Sequence, residues 1–312
     1  MLSSAILLGP QRHVRIVRAA IETLVPGPRS GPVAVVTAGW EEREAEDQEL
    51  REHVQRRVTN LEVWARVERI FEQDHELLAA MRQRHDTLRA VQELYRLRLQ
   101  GLMDATRELF RRVGDEVLLA PERAESLAMV RELDEQHRAR VAHIHAEFEA
   151  RFSPHERTAV QRERRELKRQ ISRASCLLVA GGHVAVLLHR LRLFDVFGLH
   201  GDRPVIAWSA GAMALCERIV LFHDAPPQGS SYAEVMEAGF GLVPDLVALP
   251  HGSKRLHTHD ARTMQVLARR FQPAQCVLLD EGSRIDWIGG RWSALAGTQR
   301  LGDDGRVEEA SP

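Results

Sequence analysis

Residues 205–215, Val-Ile-Ala-Trp-Ser-Ala-Gly-Ala-Met-Ala-Leu, join a short apolar run to a run of small residues, with a serine at the junction. Val205 to Trp208 read as a buried strand and Ala210 to Leu215 as the opening of a helix. Ser209 then occupies a sharp strand-to-helix turn, flanked two positions away by the small residues Ala207 and Gly211. In this small-x-Ser-x-small elbow, strand and helix approach too closely for bulky neighbours, and one hydroxyl is lifted above the sheet. The amides at the helix start point to where an oxyanion would form. The plain alternative is a turn without chemistry. A base and an orienting acid further along the chain decide between the two.

The chain around the elbow alternates strand and helix. Residues 4–9 read as a buried strand, 14–24 as a helix, and 33–37 as a second strand after the Pro-Gly-rich loop 26–32. Strand character returns at 175–180, followed by Gly181-Gly182-His183 and an apolar helix over 184–193. After the elbow, 221–241 looks like an irregular rim carrying Pro226-Pro227. Residues 243–249 and 276–279 read as strands around an amphipathic helix at 260–271. A terminal hairpin is expected around Gly289-Gly290, and the last dozen residues are polar and expected to fray. The spacing predicts an α/β fold with a mostly parallel sheet flanked by helices.

Residues 41–173 break this pattern, with almost no strand signal. Trp64, Val67, Phe71, Asp74, Leu78, Met81, His85, Leu88, Gln92, Tyr95, Leu99, Leu102, Thr106, Leu109 and Val113 recur alternately three and four apart, a heptad seam. A second seam runs through Leu127, Val130, Asp134, His137, Val141, Ile144 and Phe148. Gly114-Asp115 and Pro121 separate the two, and Ser153-Pro154 opens a last helix over 155–173. The expectation is a discontinuous α/β domain, 1–40 and 174–312, carrying a helical insertion over 41–173 folded as an antiparallel coiled-coil hairpin. Sixty helical residues would reach about 90 Å if straight. The polar seam members read as register-setting positions, and the hairpin's base is expected near Ser209.

Composition narrows the partners. With 43 basic and 44 acidic residues the net charge is −1, so nothing draws the chain to nucleic acid or to a membrane surface. Only Lys168 and Lys254 are lysines, an arginine bias best read as codon usage, and the basic run from Arg162 to Arg169 reads as a solvated helix face. No run of eighteen apolar residues occurs and the first residues lack the pattern of a secretory signal, so a cytoplasmic protein is expected. Cys176, Cys216 and Cys276 have no paired spacing and read as reduced core residues. No metal or cofactor is expected: of His137, His143 and His145, the last two are two apart and do not share a helix face, and His251, His257, His259 and Asp260 have no companion cluster.

In an open α/β sheet the chemistry sits at the carboxyl ends of the strands. Gly181-Gly182, Ser209, His251 and Glu281 each follow a predicted strand. A serine needs a base to take its proton, and an imidazole needs an acid to hold its tautomer. Ser209, His251 and Glu281 fill those roles, in a chain order that differs from the α/β-hydrolases. The amide of Ala210 and one from the Gly181-Gly182 turn supply the oxyanion donors.

Ala-Gly-Gly-His-Val-Ala-Val-Leu-Leu (180–188), Ala-Trp-Ser-Ala-Gly-Ala-Met (207–213), Leu-Pro-His-Gly (249–252) and Asp-Glu-Gly (280–282) resemble, in order and spacing, the serine peptidases of aspartyl dipeptidase and cyanophycinase. That resemblance implies a class I glutamine amidotransferase-like fold with flavodoxin-like layering. It implies Ser209 as nucleophile, His251 as base, Glu281 as third member, and the amides of Gly182 and Ala210 as the oxyanion hole. It covers 1–40 weakly and 174–290 well, and leaves the helical insertion outside. The family's asparagine is His183 here, its next threonine Val184, and the aromatic after its histidine Gly252. These positions shape the pocket, so the resemblance implies hydrolysis of a short peptide or isopeptide and leaves aspartyl specificity open. Gly181, His183, Trp208 and Arg262 are the expected substrate-binding residues, Arg262 through a substrate carboxylate. A serine in place of cysteine excludes glutamine amidotransferase chemistry. The alternative is an α/β platform of weak or absent activity, whose helices mediate self-association or bind a partner.

Overall fold

The computed structural model describes residues 3–27, 31–222 and 232–311. The Pro226-Pro227 part of the expected rim lies outside them. Strand β1 (Ser4–Leu8), helix α1 (Val17–Leu24) and β2 (Val33–Val36) open the chain as a β-α-β unit. A 3-10 turn over Ala38–Arg43 leads to α2 (Gln48–Val54), β3 (Val58–Asn60) and α3 (Val63–Gln73). Two long helices follow, α4 (His75–Arg111) and α5 (Glu116–Phe152), then α6 (Thr158–Ile171). Next come β4 (Leu177–Val179), α7 (Val184–Phe194), α8 (Val196–His200), β5 (Val205–Trp208) and α9 (Ala210–Leu215). The chain ends with β6 (Arg218–Leu221), β7 (Glu234–Ala238), β8 (Leu246–Pro250), α10 (Gly252–Arg255), α11 (Ala261–Phe271), β9 (Gln275–Leu279), β10 (Arg284–Ile288), β11 (Arg291–Ala294), β12 (Gln299–Leu301) and β13 (Val307–Glu309).

These strands form a mixed α/β fold. The main sheet runs β11-β10-β1-β5-β4-β2-β3, with the five strands from β1 to β3 mutually parallel and the β10–β11 hairpin antiparallel at the edge. Residue alternation sorts its side chains. Ile6, Leu8, Val33, Val35, Leu178, Ile206 and Trp208 pack under α1, while Ala5, Leu7, Ala34, Val36, Leu177, Val179, Val205 and Ala207 face the core shared with α7 and α9. Each fully buried Leu, Ile or Val contributes on the order of 1.5–3 kcal/mol. The three cysteines are buried and free, as expected.

Three expectations are corrected. β3 pairs in parallel with β2, so the α/β sheet reaches at least Asn60 and does not stop at residue 40. Its three residues are too few for alternation to stand out from a charged stretch. The polar C-terminus does not fray: β12 and β13 pair with each other and β12 with β9, completing a second sheet in the order β13-β12-β9-β8. The segment read as an irregular rim contains β7, which pairs antiparallel with β6 just before it.

The hairpin also differs in kind from a free coiled coil. Helices α4 and α5 pack antiparallel, but the buried positions of α4 are Leu77, Ala80, Met81, Val91, Tyr95, Leu99, Met103, Thr106 and Phe110, while the seam residues His85 and Val113 are exposed. Two polar seam residues link the helices, Asp134 accepting from the Tyr95 hydroxyl at 2.8 Å and Thr106 meeting Ser126 at 2.6 Å, but most polar seam contacts lead elsewhere. Asp74 caps α4 through the Leu77 amide at 3.0 Å, and Gln92 donates to Glu234 on β7 at 2.9 Å. Asp134 receives Arg270 of α11 at 2.6 Å, and the His137 ring meets the Met236 carbonyl at 3.1 Å. The hairpin therefore lies against β7 and α11, sharing a core with Val235, Val247, Met264 and Phe271. Its base is fastened by the Asp74–Arg157 ion pair. Its tip, not its base, reaches the segment after His251, where Arg111 pairs with Asp260 at 3.4 Å.

Candidate active site

Ser209 has φ 52° and ψ −121°, a conformation outside the helix it caps, as a strained elbow requires. Its amide donates to the Leu8 carbonyl at 3.1 Å, so the turn hangs from the neighbouring strand β1. The need for a small residue at 211 is concrete: a Cβ there would lie 2.3 Å from the Val179 carbonyl oxygen. Ser209 is half-buried, neither sealed in the core nor fully in solvent.

The Gly-Gly turn lies directly beside it. A Cβ on Gly181 would stand 3.2 Å from Ser209 Oγ. Gly182 has φ +115°, in the region that only glycine enters without strain, and is packed against the Gly39 backbone. The His183 amide is taken by the Gly39 carbonyl at 2.7 Å. The Ala210 amide stands at the start of α9, in the first turn where amides have no partner within the helix.

His251 follows β8 in a left-handed conformation, φ 58°, and its amide donates to the Leu279 carbonyl at the end of β9 at 3.1 Å. Asp280 and Glu281 follow β9 in the turn after it. Gly9, at the end of β1, donates its amide to Ser283 at 3.0 Å and packs on the Asp280 carbonyl. Contacts between neighbours thus run from Ser209 through Leu8 and Gly9 to Asp280, and from Leu279 to His251. Among the described residues no hydrogen bond joins Ser209, His251 and Glu281 to one another. Ser209 and the Gly-Gly turn follow strands of the main sheet, whereas His251 and Glu281 follow β8 and β9 of the second, and the three side chains stand unlinked.

The electrostatics suit a base. Burial lowers the His251 pKa, Arg255 and Lys254 lower it further, and Asp280 and Glu281 oppose them. The imidazole is thereby kept neutral at neutral pH, the form that can take a proton. Asp280 is engaged: its carboxylate accepts from the Ser253 hydroxyl at 2.5 Å and the Ser253 amide at 3.2 Å. The Glu281 carboxylate is mostly buried, with Lys254 Nζ 3.9 Å away.

Three expected substrate-binding residues have other work. Trp208 is buried among Ile6, Leu8 and Ile206 on the α1 face, so its ring belongs to the core. The His183 ring caps α7, its Nδ1 accepting from the Val186 amide at 3.3 Å. Arg262 donates to the Arg111 carbonyl at 2.6 Å, holding the hairpin's tip. Sequence reasoning missed Gly39 and Gly9, the backbone neighbours of the Gly-Gly turn and of Asp280. Their signal was present, since each glycine directly follows a strand-forming run.

No curated protein sequence matches the chain. Among solved structures, it is similar to a peptidase from an acI-B1 Actinobacterium, with 12% identity, a TM-score of 0.49, and 100% and 96% of the two chains covered. It is also similar to a putative peptidase E protein from Listeria monocytogenes EGD-e, with 11% identity, a TM-score of 0.46, and 97% and 100% covered. Peptidase family S51 matches over residues 99–295, more than half of the chain. That span holds the Gly-Gly turn, the elbow, His251 and Glu281. It begins inside α4, so the later part of the helical segment, expected to lie outside the resemblance, falls within the matched region. On this match the chain belongs to peptidase family S51, the serine peptidases of the aspartyl dipeptidase and cyanophycinase type.

Proposed function

We propose that the chain hydrolyses a short peptide or isopeptide through an acyl-enzyme, with Ser209 as nucleophile, His251 as base and Glu281 as the acid that orients it. Ser209 Oγ attacks the scissile carbonyl carbon as His251 takes its proton. The resulting oxyanion is met by the amides of Gly182 and Ala210, donors of a kind worth about 10²–10³ in kcat each. His251 then returns the proton to the leaving amine, and water, activated by the same ring, releases the acyl group. The layering proposed is that of the class I glutamine amidotransferases, with α4 and α5 a hairpin added to it.

The observation that supports this reading is the strained Ser209 backbone beside the Gly181-Gly182 turn, linked through Leu8 and Gly9 to the Asp280 backbone. Strain of this kind costs on the order of 1–3 kcal/mol and persists where function requires it. Purified protein on a panel of dipeptides and isopeptides, aspartyl ones included, tests it against Ser209→Ala. Turnover by the wild type and none by the variant is the expected result. Equal turnover by both rejects it.

A second reading concerns the hairpin: self-association through its tip, with or without catalysis. Val113, Val117 and Leu118 are 85%, 80% and 68% exposed there, unusual for large apolar residues. No helix among the described residues is long and apolar enough to cross a membrane. Sedimentation of the wild type and a Val117→Asp/Leu118→Asp variant distinguishes a tip-mediated oligomer, which the variant dissociates, from a monomer.

A further inference from the structure

A cavity of about 270 Å³ opens between the hairpin and the α/β core, lined by no member of the triad. On its wall three elements bring together His145 of α5, His189 of α7 and Glu237 of β7. His145 Nε2 is 2.8 Å from Glu237 Oε2, and His189 Nε2 is 2.8 Å from Glu237 Oε1. One ligating atom from each residue lies within 4.8 Å of those of the other two. The Glu237 side chain is only 4% exposed.

We propose that His145, His189 and Glu237 bind a divalent transition-metal ion, zinc in preference to magnesium or calcium. Two imidazoles and one carboxylate match zinc, whereas magnesium and calcium favour all-oxygen sets. Tetrahedral ligands on a zinc ion stand roughly 3.3 Å apart at bond lengths of about 2.0–2.1 Å. The His189–Oε1 contact needs to open by only about half an ångström to admit the ion, while the His145 ring turns from Oε2 to face it. Arg192 holds Glu237 Oε2 and donates to the Ala238 carbonyl. It thus supports the carboxylate from outside and leaves Oε1 for the metal.

The cavity supplies the fourth position. Arg84 lines it, its guanidinium 4.0 Å above the Phe148 ring, and makes no ion pair among the described residues. Water, hydroxide or chloride from the cavity fills the fourth position, Arg84 favouring an anion and Glu149, on the same wall, opposing one. The consequence is mechanical. The metal ties α5 to α7 and β7, clamping the hairpin to the core. This site stands independently of the peptidase reading.

Cobalt titration of the full chain, followed by visible spectroscopy, tests it. The expected result is one equivalent of Co²⁺ bound with the intense bands of a tetrahedral site, displaced by Zn²⁺. Affinity falls about 100-fold in His145→Asn and in His189→Asn, the two variants guarding against one that fails to fold. Zn²⁺ also raises the Tm of the wild type and not that of the folded variants. The proposal is overturned if the wild type binds no stoichiometric Co²⁺ or gives only weak octahedral bands. It is equally overturned if both variants bind as the wild type does, which would place the ion elsewhere, for example at the neighbouring His257 and His259 rings.

Discussion

The His251 amide donates to the Leu279 carbonyl at 3.1 Å, so the imidazole and the acidic pair that follows Leu279 enter the site side by side. Two carboxylates then compete for the role of third member, and the structure separates them. Asp280 is held by the Ser253 hydroxyl and amide, whereas the nearest cation to Glu281 is Lys254 at 3.9 Å. Glu281→Gln should lower kcat by about 10²–10⁴ with little change in KM, as loss of a tautomer-holding acid does. Asp280→Asn should cost less than tenfold, acting through the Ser253 contact. Steady-state kinetics of the two variants decides. The reverse ranking assigns the role to Asp280.

On the proposed mechanism the His251 pKa, lowered by burial and then by Arg255 and Lys254, sets the acid limit of activity. The base must be neutral, so the acid limb of kcat/KM should fall below the ordinary imidazole value of about 6.5. Folding favours the neutral ring. Its contribution to stability is therefore complete above that value and is lost as pH falls through it towards the lower folded pKa. Arg255→Ala removes a neighbouring positive charge and should move the limb to higher pH. A pH–rate profile of the two proteins measures the shift, and a limb that stays in place or moves to lower pH contradicts it.

Arg262 is bonded to the Arg111 carbonyl at 2.6 Å, which predicts a mechanical role. Arg262→Ala should leave KM for acidic substrates within about threefold, the loss of an exposed contact being worth on the order of 1 kcal/mol or less. It should also increase proteolytic nicking near residues 111–116. A KM rise confined to acidic substrates would restore the carboxylate-binding role.

Arg270 and Asp134 form a buried pair with side chains 0% and 3% exposed, completed by the Tyr95 hydroxyl at 2.8 Å from each. Removing one charge strands the other in a low-dielectric core. Asp134→Asn should therefore destabilise the fold by about 3–5 kcal/mol in denaturant titration, while replacing an exposed hairpin acid such as Glu122 should cost under about 0.5 kcal/mol.

The elbow was legible in the sequence because its determinants are contiguous. Val205 to Trp208 must be strand, Ala210 to Leu215 must be helix, and Ser209 has nowhere else to be. The Gly181-Gly182 turn and the positions of His251 and Glu281 followed from the same rule of strand ends. The docking of the hairpin was not legible. The period of its apolar residues fits a two-helix seam, and only the contacts of Asp134, His137 and Gln92 with distant β7 and α11 reveal that the seam faces the core. His145, His189 and Glu237 come from three segments as much as 92 residues apart, so no spacing rule could gather them. The contacts of Trp208 with the core and of Arg262 with the Arg111 carbonyl were not legible, because neither sequence position nor the resemblance says which face a side chain takes.

Covalent labelling tests the central claim most directly. The protein is treated with a serine-directed fluorophosphonate, and the adduct is located by intact mass and peptide mapping. One label on Ser209 is predicted, formed at least 100-fold more slowly in His251→Gln. A label on another residue, no label, or a rate indifferent to His251→Gln would contradict the account.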